Sequence, residues 1–261
     1  MISYLGRLFI EYALWAKGVV ILFVDILYWF FVGPFLGKFS RRESISHQMV
    51  FVGLCSIVIV FFVDFFTGIV LAMQSAYILE KMGAKLYVAS LVSVSLCREL
   101  SPVLTALVVA GRAGSAIAAE LGTMKVTEQI EALETMAINP VRFLVLPRFL
   151  ALVVMVPALT VLGNLSGIFG GFLIGTGNMN INPDLYIQIS FKYLEIKDIN
   201  TGLLKALVFG IIIALVSCYE GLTTKGGAEG VGRATTRSVV ISFILIIAFD
   251  CLLTAFFYFL N

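Results

Sequence analysis

The chain has 261 residues, 60% of them hydrophobic and 13% charged, with a mean hydropathy of +1.04; soluble domains sit near half apolar and a quarter charged, so this is a membrane composition. A net charge of +2, with basic residues spread among the connections, excludes a nucleic-acid partner. Cys55, Cys97, Cys218 and Cys251 all fall in or beside apolar stretches without CxxC spacing, and read as small core residues.

Residues 1–36 are apolar but carry Arg7, Glu11, Lys17 and Asp25. They read as a retained helix lying in the membrane interface, with a sixth span as the alternative. A bilayer core about 30 Å thick needs about 20 apolar residues per helix, and five stretches supply them: Phe51 to Leu79, Val88 to Ala110, Phe149 to Ile174, Leu203 to Tyr219 and Val239 to Leu260. The expected fold is all-α, an N-terminal interfacial element over 1–45 followed by a five-span domain over 46–261. Connections on one side of these spans hold twelve Lys and Arg against four on the other, with Arg98 and Lys205 set aside as intramembrane or borderline. Cytoplasmic loops are enriched in these residues, so the amino terminus is expected in the cytoplasm and the carboxyl terminus outside.

Two runs of small residues recur every fourth position, which places each on one helix face and lets another backbone approach. One is Gly163, Gly167, Gly171 and Gly175; the other is Ala106, Ala110, Gly114, Ala118 and Gly122. Packing within one subunit and contact between subunits both fit. No phosphate-binding loop occurs, since Gly33 to Phe39 is one residue short and ends in Phe39 where a hydroxyl is needed. His47 is the only histidine, no nucleophile elbow is present, and no His/Glu pair has metal spacing, so neither ATPase nor hydrolase chemistry, nor a cofactor, is expected of this chain. Asn164-Leu165-Ser166 matches a glycosylation acceptor but lies inside a span.

The most informative stretch runs from Arg98-Glu99-Leu100-Ser101-Pro102 through Leu107, continues over Ala110-Gly111-Arg112-Ala113-Gly114 and Ala119 to Gly122, and extends over Met124 to Leu133 and Asn139-Pro140. With Pro147-Arg148-Phe149, Gly232 to Val240 and Asp250 to Ala255, it resembles the signature of the MlaE (YrbE-type) permease family of ABC transporters. The first 45 residues match only in general character, and Asp64 is not expected from that family. The resemblance implies phospholipid as cargo and a homodimer in the bacterial inner membrane. It also implies a cytoplasmic ATPase subunit that hydrolyses ATP, a periplasmic MCE-domain lipid-binding protein and a small accessory subunit. A secondary transporter or a purely structural membrane protein are the competing classes; the first would more often show an internal repeat.

Three sets of candidate residues follow. Thr127 to Ala137 reads as an amphipathic helix with Thr127 as N-cap, Glu128 and Glu131 in its first turn, and a stop at Asn139-Pro140. Ile130, Leu133 and Ala137 share one face; Glu128, Glu131 and Thr135 share another. The resemblance makes it the ATPase-docking element, carried by Thr127, Glu128, Gln129, Glu131 and Thr135. Arg98 and Asp250 each lie ten residues inside their helix ends, roughly 15 Å deep, and are expected to share a buried polar site with Glu99 competing for Arg98. That site is either a structural ion pair or part of the transport path. Finally, Leu71, Gln74, Ile78 and Met82 line one face of the first span, apolar but for one amide, and with Leu100 suit the acyl chains of a lipid better than a polar solute.

Overall fold

The computed structural model describes residues 2–33 and 42–259. Its order is α1 (Ile2–Val32), α2 (Arg42–Lys81), α3 (Val88–Ser95), α4 (Ser101–Val109), α5 (Ser115–Val126), α6 (Gln129–Thr135), α7 (Leu146–Gly177), α8 (Pro183–Tyr193), α9 (Ile196–Leu222) and α10 (Gly227–Phe259). All-α architecture is confirmed among the described residues, and six helical stretches are long and apolar enough to cross a membrane, making this a multi-pass membrane protein. Two of those stretches, Lys85–Val126 and Val141–Gly177, are composite.

Their joints are π-helical turns at Leu96–Leu100, Ala110–Gly114 and Val141–Val145. Two of the three have a sequence cause. In an unbroken α-helix the ring of Pro102 would meet the carbonyl of Arg98, and that of Pro147 the carbonyl of Phe143. Each of those carbonyls belongs to a π turn, whose wider ladder relieves the clash without ending the helix.

Helices α2 and α7 pack along their length, with α9 against α7 and α5 against both α9 and α10. The glycines explain how close these approaches are. A Cβ on Gly163 would lie 2.6 Å from Asp64 Oδ2, one on Gly171 2.8 Å from Val92 Cγ1, and one on Gly210 2.8 Å from the Leu152 carbonyl. In the second run, a Cβ on Gly122 would lie 2.9 Å from Thr224 Oγ1 and one on Gly114 3.2 Å from Ile213 Cγ2. Both small-residue runs are thus filled by this chain's own helices.

The bundle has a basic end, where Lys125, Arg142, Arg148, Lys225, Arg233 and Arg237 cluster around the α5–α6 and α9–α10 connections. Helix α1 lies across this end. Trp15 Nε1 donates to Glu220 Oε1 at 2.6 Å, Trp15 meets Tyr219 edge-on at 5.9 Å, Phe23 meets Phe149 at 6.4 Å, and the Arg142 guanidinium sits 5.4 Å from the Trp29 ring. Trp15 and Trp29 are about 21 Å apart along the helix, yet all these partners belong to the same end of α7 and α9. A helix running down the bundle would leave that end behind. Ala13–Val32 has the length and apolarity of a span, so the interfacial and spanning readings of α1 both stand.

Other expectations need adjustment. The first four spans overrun their apolar cores at both ends and the fifth at its start, most of all the second, whose helix continues to Val126 rather than stopping at Ala110. The connection before α9 contains α8, capped by Asn182, whose side chain accepts from the Asp184 amide at 2.9 Å behind Pro183. Cys97 and Cys218 are buried as expected, but Cys55 and Cys251 face outward.

Candidate functional site

The intramembrane polar site exists, with a different centre from the one expected. Lys205 on α9 is 1% exposed and bonds three groups: the Glu99 carboxylate, Asp250 Oδ1 at 2.9 Å and Thr254 Oγ1 at 2.7 Å. Thr254 Oγ1 in turn donates to the Asp250 carbonyl at 2.8 Å and lies 3.3 Å from both Glu99 oxygens. Arg98 does not pair with Asp250. It reaches Asp198 Oδ1 at 3.4 Å, while Asp198 Oδ2 accepts from the Glu195 amide at 3.2 Å and so caps α9. Arg98 and Glu99, adjacent within the π turn over Leu96–Leu100, point in different directions around the helix axis and so reach separate partners on α9.

A buried ammonium is tolerated when carboxylates and further hydrogen bonds complete its shell, and Lys205 has two carboxylates and a hydroxyl. Glu99 and Asp250 remain about a third and a quarter exposed. The cluster is therefore closed around its cation and open at its anions. Lys205 was the residue that sequence reasoning set aside, although it stands inside the apolar run that marks the fourth span.

The proposed lipid face divides into two parts. Leu71 and Leu100 pack on a buried cluster that includes Ala72, Val92, Leu96 and Tyr186. Gln74, Ile78 and Met82 point away from the rest of the chain, Met82 being 73% exposed. A separate cavity of about 1020 Å³ opens at the basic end, lined by Trp15, Arg233, Arg237, Val240 and Ile244 among others.

The helix expected over Thr127 to Ala137 is present but shorter and differently capped. It spans Gln129–Thr135, with Glu128 in the N-cap position in left-handed conformation at φ 59°. Thr127 is not its N-cap: it ends α5, its hydroxyl donating to the Thr123 carbonyl at 2.8 Å. Ala137 lies beyond the helix at φ 58°. Ile130 is buried in the main core, whereas Glu128, Gln129 and Thr135 are exposed. Glu131 bonds Lys125, and this hydrogen bond holds its carboxyl below the ordinary range. Behind this segment the buried Arg148 ties the start of α7 to α5, with Nη2 2.9 Å from Glu120 Oε1 and Nη1 donating to the Leu144 carbonyl at 2.6 Å.

Residues 45–256 match the family Permease MlaE. A probable ABC transporter permease protein of Rickettsia typhi is 46% identical over 210 residues, 80% of this chain and 81% of that protein. The intermembrane phospholipid transport system permease protein MlaE of Haemophilus influenzae is 36% identical over 231 residues, covering 85% and 87%. The chloroplastic protein TRIGALACTOSYLDIACYLGLYCEROL 1 of Arabidopsis thaliana is 35% identical over 222 residues, 85% of this chain and 63% of that one. The composite helices with their π turns, the charged cluster around Lys205 and the α5–α6 segment all fall inside the matched region, and the chain belongs to the MlaE permease family.

Proposed function

We propose that this chain is the membrane subunit of an ABC transporter that moves phospholipid between the bacterial inner membrane and periplasmic carriers, serving outer-membrane lipid asymmetry. The observation that carries the reading is the outward apolar face of α2 at Gln74, Ile78 and Met82, broken by a single amide. Acyl chains suit such a face. The relative named for intermembrane phospholipid transport supports the cargo. Leu71, Gln74, Ile78, Met82 and Leu100 form the lipid surface in this proposal, and two chains assemble so that these surfaces face a shared cavity. The basic end is cytoplasmic by the distribution of Lys and Arg. There α6 docks an ATPase subunit through Glu128, Gln129, Glu131 and Thr135, with Thr127 at its margin, while an MCE-domain protein receives lipid on the opposite side and a small accessory subunit completes the complex.

Purification from the native membrane tests this directly. An ATPase at about equal copy number and phospholipid beyond an annular background are expected in the mass spectrum. Glu131→Lys replaces an attraction to Lys125 with a repulsion, and should release the ATPase while leaving the chain in the membrane. Wild-type ATPase association and lipid transport in that variant would remove the docking assignment. Photocrosslinkers at Leu71 and Ile78 should capture lipid; capture only from the opposite face of α2 would misplace the cavity.

A further inference from the structure

Three arginines of the bundle are committed to partners within it. Arg98 reaches Asp198 Oδ1 at 3.4 Å, Arg112 donates to the Phe51 carbonyl at 2.8 Å and to Ser56 Oγ at 3.0 Å, and Arg148 donates to the Leu144 carbonyl at 2.6 Å. Arg233 and Arg237 differ. They stand one turn apart on α10, and both line the cavity of about 1020 Å³ at the basic end. Neither guanidinium closes a hydrogen bond among the described residues: Arg233 Nη1 lies 3.4 Å from Glu229 Oε1, and Arg237 Nε 3.6 Å from Glu220 Oε1. The Arg233–Glu229 pair is exposed on both sides, and such a pair holds its partners weakly. Glu220 is 5% exposed, but it already accepts from Trp15 Nε1 at 2.6 Å and does not rely on Arg237 alone.

Beyond the arginines the cavity turns apolar. Val240, Ile244 and Leu245 continue its lining along α10, and Trp15 of α1 borders it from the side. Leu245 lies eight residues past Arg237, about 12 Å along the helix, in the direction of Asp250 and the middle of the span. The lining thus passes from paired cations to hydrocarbon in the direction in which a bilayer passes from headgroup to acyl chain. Val240 and Ile244 are exposed in the single chain, so this wall is open to an occupant. The volume is at the upper end of the range for ligand sites, about 300–1,000 Å³, which leaves room for more than a headgroup.

We infer that this cavity binds one acidic phospholipid of the leaflet at the basic end, its phosphate on Arg233 and Arg237 and an acyl chain along Val240, Ile244 and Leu245. The guanidinium fork matches phosphate oxygens in pairs, and basic pockets between membrane helices hold acidic headgroups. A zwitterionic headgroup would bring its own cation toward the two arginines, so a net negative charge is selected. A second copy of the chain fits this face poorly, because a two-fold axis through it would set that copy's Arg233 and Arg237 against these. The site lies at the opposite end of the bundle from Gln74, Ile78 and Met82. Its lipid is a bound constituent bridging α1 and α10 and not the cargo, so the inference stands apart from the lipid surface proposed on α2.

The test places the full chain in nanodiscs of equal phosphatidylglycerol and phosphatidylcholine. Released into native mass spectrometry, the chain should retain one phosphatidylglycerol, favoured about tenfold over phosphatidylcholine. Arg233→Gln combined with Arg237→Gln should remove that preference. Ile244→Trp, which fills the apolar part and leaves every charge in place, should lower phosphatidylglycerol retention about tenfold in a chain that still elutes as folded. A photocrosslinker at Ile244 of the wild-type sequence should capture phosphatidylglycerol. Four results would overturn the site: equal retention of the two lipids by the wild-type chain, an unaltered preference in the double arginine variant, displacement of the lipid by millimolar glycerol phosphate, which would assign the arginines to a soluble anion, or capture of a second copy of the chain from Ile244.

Discussion

Helices α9 and α10 are nearly equal in apolarity, yet most of the apolar stretch of α9 is buried and little of that of α10. Helix α9 places Gly202, Ala206, Gly210, Ala214, Ser217 and Gly221 inside, and accepts α4, α5 and α7 on several sides. Helix α10 buries only small residues and Ile246 toward the bundle, and turns Val240, Ile244, Ile247, Leu252 and Phe256 outward. In lipid, apolarity drives a helix into the bilayer but does not decide whether protein or acyl chains cover it, because both are equally apolar. Small residues decide it, since they let backbones meet.

That contrast is easiest to break at Gly210. Leucine there would force α9 from the Leu152 carbonyl of α7, and destabilisation of about 3 kcal/mol, the upper range for overpacking, is expected; an unchanged midpoint in detergent unfolding would mean that the close approach is not a constraint. The next largest effect belongs to Lys205, which fastens α9 to α10. Lys205→Met should cost about 2 kcal/mol, less than the 3–5 kcal/mol of a fully buried broken pair because the stranded Glu99 and Asp250 are partly exposed. Double substitution with Asp250→Asn should recover part of the loss, and failure to do so would detach the two residues energetically. The smallest effect is expected on the outward face of α10, where Ile247→Ala should change the stability of the single chain by under about 0.5 kcal/mol. A larger change would show that another protein surface covers this face.

Much of this was legible in the sequence. Apolar runs located every span, because a bilayer imposes the same requirement on each. Their ends were not legible: α2 and α5 continue through polar residues, sustained by neighbouring helices rather than by lipid. Depth alone finds Arg98, Glu99 and Asp250 but mispairs them, since it does not fix which way a side chain points around its helix. Pro102 was a usable signal of the π turn and went unread. Thr127 was assigned as a cap from residue type, whereas Glu128, with a left-handed backbone that charge and periodicity do not specify, performs the chain reversal. The lipid surface rests on periodicity, which identifies a face and not its occupant.

Asp64 also bears on how the chain enters the membrane. Its neighbours Ser101, Thr105 and Gly163 all lie on segments synthesised after α2, so α2 meets the bilayer carrying a carboxylate with nothing yet beside it. A central Asp costs about 2.5–3.5 kcal/mol on insertion scales, and each Ile, Val or Phe offsets about 0.3–0.6 kcal/mol. Nine such residues fill the positions around it between Ile57 and Phe66, several of them outward-facing phenylalanines with no partner to pack against except one another. Those rings are ballast for the passage of a single charge, carried on the outside of the helix so that the inside remains free for the helices that arrive later.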